Sequence, residues 1–155
     1  MAKDVLNSAF NFTVHATQGK GPLPVQYHGV GQGGIRKDAV LATLGKHFKE
    51  TETMVVRLFV QEYYHMYVDH NVYDWSTLAA SIASIRVCGA EPLLALCMKP
   101  QALYPKIDER IVHPNNYDEW QHFIEAMVTH YNHELGWNIK YWEVFNEPDI
   151  GERGG

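Results

Sequence analysis

Pro92-Leu93-Leu94-Ala95-Leu96-Cys97-Met98 is an unbroken apolar run, preceded by Gly89 and closed by Lys99-Pro100. So short a run, continuously apolar, is expected of a strand covered on both faces, as in a parallel sheet. Outward from it lie two more apolar runs, Met54 to Val60 (MVVRLFV) and Ile139 to Phe145 (IKYWEVF). The segments between them change period. Asp74 or Ser76 caps a helix that continues through Val87 and stops at Gly89. Asn116 or Asp118 opens a second helix to about Leu135, with Trp120, Phe123, Ile124, Met127 and Tyr131 on one side and Gly136 at its end. Nearer the N-terminus, Arg36 to Phe48 places Val40, Leu41, Leu44 and Phe48 at helical spacing. An extended piece, Val25 to Val30, precedes it, and Asn11 to Ala16 reads as a short leading strand. Strands alternating with helices call for right-handed crossovers and a parallel sheet whose four main strands are neighbours in chain order.

The 155 residues suit one domain. With 46% hydrophobic and 20% charged residues, the chain has a globular composition. Thirteen Lys and Arg against 18 Asp and Glu leave a net charge of −5. A nucleic-acid or acidic-membrane partner wants a basic face, and no run of cations supplies one. The apolar stretches are also far short of the ~20 residues that span a bilayer. Cys88 and Cys97 sit in apolar surroundings with no metal-type spacing, and read as structural thiols. The start of the chain, MAKDVLNSAF, has no apolar signal region, so a cytoplasmic location is the default expectation.

The connections that follow strands are long (Glu62 to Tyr73 and Lys99 to Asn115), whereas those that precede strands are short. Long ordered loops tend to be functional. The asymmetry is that of a (β/α)8 TIM barrel, an α/β fold with its site on the C-terminal ends of the strands. A complete barrel takes eight βα units and typically ~250 residues, so this chain supplies about the first four.

The residues with most chemistry end the last strand: Trp142-Glu143-Val144-Phe145-Asn146-Glu147-Pro148. Strand alternation would put Glu143, Phe145 and Glu147 on one face. A carboxylic acid at the lip of an apolar strand is partly desolvated, which suits it to proton donation near neutrality. Asn146 offers an amide to a substrate hydroxyl, and Pro148 ends the ladder. The plainer reading is an acidic strand end in solvent.

YWEVFNEPD resembles the end of the fourth strand in the clan A glycosidases. Four ordered segments make the chain similar to glycoside hydrolase family 39, the β-xylosidases and α-iduronidases: VVRLFV, GAEPLLALCMKPQAL, PNNYDEWQHFIEAMVTHY and the lead-in PLPVQYHGVGQGG. The resemblance covers Pro22 to Asp149. It implies residues 1–21 as a lead-in strand and loop, and 22–155 as the first half of a catalytic barrel. It also implies a retaining glycosidase with Glu147 as general acid/base and Asn146 on the sugar 2-hydroxyl, acting on a glycoside or oligosaccharide without cofactor or metal. Lys99 and Phe59, at the ends of the third and second barrel strands, join Asn146 as substrate-contacting candidates. The second carboxylate, the nucleophile, belongs on a seventh strand in that family, and no carboxylate of this chain is assigned to it. Two positions depart from the family pattern: Phe59 stands where a histidine is common, and Gln101 where a glutamate is.

Arg57 lies inside an apolar strand, where an unpaired guanidinium is very costly. Glu143, inside another strand, is its natural partner. The pair reads either as a structural salt bridge or as support beneath Glu147. With both side chains pointing into the barrel, Glu143→Ala alone would strand a buried charge and cost ~3–5 kcal/mol.

Three other patterns are weaker. Gly29, Gly31 and Gly34 satisfy GxGxxG, but the strand before them is polar and no acidic residue closes the next strand at the spacing a dinucleotide site needs. His130 and His133 beside Glu134, and His65 and His70 beside Asp69, each lack a third ligand for a metal. The loop aromatics Tyr63, Tyr64, Tyr67, Tyr73 and Trp75 suit sugar stacking, and equally suit packing the loop onto the rim of the sheet. Two functional classes follow: a retaining glycosidase, or a non-catalytic carbohydrate-binding or interaction module derived from one.

Overall fold

The computed structural model describes residues 12–22, 29–32, 45–104 and 113–147. Strands β1 (Gly29–Gln32), β2 (Val55–Val60), β5 (Glu91–Leu96) and β6 (Tyr141–Val144) form one sheet in the order β1-β2-β5-β6. All three pairings are parallel. The sheet therefore has the order and direction expected from the alternating pattern. Helices α1 (Gly45–Glu50), α2 (Ser76–Val87) and α3 (Tyr117–Val128) occupy the crossovers. Among the described residues Phe12 to Ala16 no strand forms, and Phe12 and Val14 are exposed, so the leading strand expected there is absent over that stretch. Val25 to His28, Gly34 and most of the helix expected from Arg36 lie outside the described residues; its end is present as α1.

The core lies on the helix side of the sheet. Along β2, Val56, Leu58 and Val60 are fully buried, while Val55, Arg57 and Phe59 on the other face are only partly covered. Leu94 and Leu96 of β5 join the buried face, against Leu78, Ile82 and Ile85 of α2 and Phe123 and Met127 of α3. The chain continues from α3 through a wider π-type turn, Thr129–Glu134, which buries Tyr131. Gly136 then takes a left-handed φ of 64° and ends the helix, as Gly89 at φ 82° does after α2. At Gly45 an added Cβ would lie 3.0 Å from Cys88 Sγ, a tight contact that the Cys88 side chain would have to relieve by a few tenths of an ångström.

The segment Glu62 to Tyr73, expected to be irregular, is ordered. A single turn of 3₁₀ helix, Glu62–Tyr64, leads into an antiparallel hairpin of β3 (Tyr67–Asp69) and β4 (Val72–Tyr73). Asn71, with φ 55°, makes its turn. Tyr-Val-Asp-His-Asn-Val-Tyr carries the hairpin signal, β-formers flanking polar turn residues.

Candidate active site

Arg57 and Glu143 meet on the less covered face of the sheet. Arg57 Nε and Nη2 donate to the two carboxylate oxygens of Glu143, each at 2.6 Å. The expected pairing is thus present, in the bidentate geometry that guanidinium and carboxylate favour. Arg57 also lies over the Phe59 ring, its Cζ 4.1 Å from the centroid. The hydrogen bond from Arg57 holds the Glu143 carboxyl below its usual pKa of 4.5 and Arg57 above its own. The side chains remain 26% and 35% exposed. That corrects the expectation of a fully buried pair: nothing among the described residues closes over this face, so water still reaches both charges.

Asn146 and Glu147 follow directly. β6 stops at Val144, one residue earlier than expected, although Phe145 N–H still reaches Leu96 O at 3.3 Å. Phe145 and Glu147 both adopt left-handed φ, 65° and 46°. Strand alternation therefore does not reach Glu147, which corrects the simple one-face argument. Two left-handed non-glycine residues so close together are uncommon, and such strained backbone gathers at functional sites. The turn ties Asn146 back to the pair: Arg57 Nη2 donates to Asn146 Oδ1 at 3.0 Å, and Asn146 Nδ2 lies 3.4 Å from Glu147 Oε2. Glu147 is itself exposed rather than desolvated. Pro148 and Asp149 lie outside the described residues.

Lys99 is only 6% exposed. Its backbone N–H donates to the Glu62 carboxylate, joining the loops that follow β2 and β5. Between these loops opens a groove of about 950 Å³, walled by Glu62, His65, Tyr67, Lys99, Gln101 and Tyr104. Cys97, just before Met98, is buried, and burial pushes its thiol up to about 11, the opposite of an activated nucleophile. The groove depends on the β3–β4 hairpin, where the sequence predicts a loop, so sequence reasoning misses it.

The loop aromatics are packed. Tyr67, Tyr73 and Trp75 surround Phe123 with ring centroids 5.2 to 5.9 Å away, and Tyr64 is buried. The Tyr63 side chain lies outside what is described. His130 pairs with Glu134 at 2.7 Å and stacks on Trp75, and His70 turns to Glu119. Among the described residues no group of three metal ligands gathers. Gly29 and Gly31 are strand residues of β1 rather than a phosphate-cradling turn after it, which removes the support for a dinucleotide site. Among the described residues no helix is long and apolar enough to cross a membrane.

No family model matches the sequence, and no curated protein matches it. Solved structures do. A monomeric β-xylosidase from Caulobacter crescentus CB15 is similar over 81% of this chain, with 18% identity and a TM-score of 0.62. The GH39 enzyme from Xanthomonas axonopodis pv. citri is similar over 74%, with 21% identity and a TM-score of 0.55. The chain spans 29% and 26% of those two chains, less than a third of either. At such identities the likeness establishes a shared fold.

Proposed function

We propose that these residues form the N-terminal half of the catalytic barrel of a retaining glycoside hydrolase, acting on O-glycosyl bonds in carbohydrate metabolism. The observation that carries the reading is Glu147 at the C-terminal end of β6, beside an Asn146 held by the Arg57–Glu143 pair. In this role Glu147 protonates the leaving oxygen, then deprotonates the water that resolves the glycosyl-enzyme. The nucleophile comes from outside these residues, about 5–5.5 Å from Glu147 in the assembled site. Asn146 contacts a sugar hydroxyl. Lys99, on the wall of the groove, and Phe59, beneath the Arg57 guanidinium, are the further substrate contacts. That the similar structures include a β-xylosidase supports catalysis over a non-catalytic module.

The test is kinetic, on the polypeptide encoded by the complete reading frame. Glu147→Ala should still be glycosylated by substrates with good leaving groups, which need no proton, while unactivated glycosides lose most of their turnover. Azide should restore the second step, because an anion needs no general base. A reading frame with no second carboxylate at a later strand end would refute the proposal. So would turnover by residues 1–155 alone that Glu147→Ala abolishes.

A further inference from the structure

Three side chains converge where the β3–β4 hairpin meets α3. The Tyr67 hydroxyl donates to Glu119 Oε1, and His70 Nδ1 lies 2.5 Å from the same oxygen. His70 stands at the turn of the hairpin and its side chain is 63% exposed, whereas Glu119 is 13% exposed. Glu119 sits in the first turn of α3, whose N-terminus Asn116 caps by accepting from the Asp118 and Glu119 N–H groups at 3.0 and 3.2 Å. A helix N-terminus favours an anion. A carboxylate oxygen reached by both a hydroxyl and an imidazole is favoured further. The anchor on the helix is therefore fixed and charged, and the positive charge that meets it from the hairpin depends on one histidine.

The same hairpin walls the groove. Met66, Tyr67 and Val68 line it, opposite Met98 to Ala102. We propose that Tyr67, His70 and Glu119 form a pH-responsive clasp, in which protonated His70 holds the hairpin against α3 and its deprotonation loosens that wall of the groove. The clasp is independent of the glycosidase reading, since it involves neither Asn146 nor Glu147.

The charged groups acting on His70 are Glu119 from α3 and Asp69 from its own hairpin. Both are acidic. Tyr67 and Tyr73 also face the cluster, with hydroxyl pKa values raised by burial, so neither ionises in the range where imidazole titrates. Glu119 is held below its usual pKa by Tyr67 and His70 and remains charged throughout. The hydrogen bond to Glu119 raises His70 above the ordinary imidazole value of 6.5. A raised basic group contributes fully below that value, and the contribution fades as pH climbs through the raised one. Tyr67 keeps its own bond to Glu119 at all these pH values, so the hairpin loosens rather than detaches.

The experiment is amide hydrogen exchange on the 155-residue chain between about pH 5.5 and 8.5, read at Asp74, whose N–H closes the base of the hairpin on Met66 O at 2.8 Å. After correction for intrinsic exchange, protection at Asp74 should fall on the order of two- to five-fold across this range, the scale of an exposed ion pair. In His70→Lys, which stays charged, protection should remain at the low-pH level. In His70→Gln it should sit at the high-pH level throughout, and Glu119→Gln should lose the step as well. A flat profile in the wild type, or an unchanged step in His70→Gln, overturns the clasp.

Discussion

Arg57 and Glu143 stand 86 residues apart in the chain and are joined by two hydrogen bonds of 2.6 Å that cross over the intervening strand β5. They do not sit on adjacent strands. Arg57 is level with Leu93 of β5, and Glu143 is level with Ala95, two residues further on along the same face. Two strand spacings are about 9–10 Å, a span that only a long side chain leaning along the strand can close. Asn146 shares the guanidinium at 3.0 Å, so the pair anchors the turn that presents Glu147.

Glu143→Ala leaves Arg57 without its main acceptor in a half-covered site. It should cost about 1–2 kcal/mol, between an exposed and a buried pair. Urea denaturation of the wild type, Glu143→Ala, Arg57→Ala and the double variant measures the coupling. A coupling near zero would mean that solvent already screens the pair.

Acid should weaken the fold by a route that this pair reports. A carboxyl held below its usual 4.5 contributes stability above that value and loses it as pH falls through the lowered one. Glu143→Gln should therefore flatten the stability profile below about pH 4.5 and leave the neutral region parallel to the wild type. Denaturation midpoints taken across that range decide it; an unaltered acid slope would assign the acid lability to other carboxylates.

Ala95 lies level with both Phe59 and Glu143, with no exposed surface, where the bridge passes over the sheet. Ala95→Leu puts three further carbons under the Arg57–Glu143 contact and should cost about 1–3 kcal/mol by overpacking. The informative readout is the Arg57 Nε–H signal, which should lose its hydrogen-bonded shift. Retention of that signal with native stability would show that the face has room to spare.

Phe123 is fully buried and is the hub of the contact between hairpin and helix, touching the rings of Tyr67, Tyr73 and Trp75. Phe123→Ala should cost about 3–5 kcal/mol. It should also release the hairpin, seen as faster exchange at Asp74 out of proportion to that in the β2–β5 ladder. Uniform loss across both regions would mean that the hairpin is no separate unit.

The architecture was open to a reading of the chain because burial and period are local properties. β2 is apolar but for Arg57 and β5 is apolar after Glu91, Asn116 and Gly136 mark where the long helix opens and ends, and the strand–helix alternation leaves a parallel sheet as the arrangement that short, right-handed crossovers allow. The partner of Arg57 was legible for a similar reason: a charge inside an apolar strand demands an opposite charge, and Glu143 was the candidate at matching depth in another strand. What the chain alone left open depends on residues brought close only by folding. The left-handed turn at Phe145 and Glu147, the hold of Arg57 on Asn146, the groove between the loops and the convergence of Tyr67 and His70 on Glu119 carry no periodic signal. The reason is physical: hydrophobic burial acts through side-chain spacing along the chain, whereas directed hydrogen bonds between distant residues exist only once the sheet has set the distances between them.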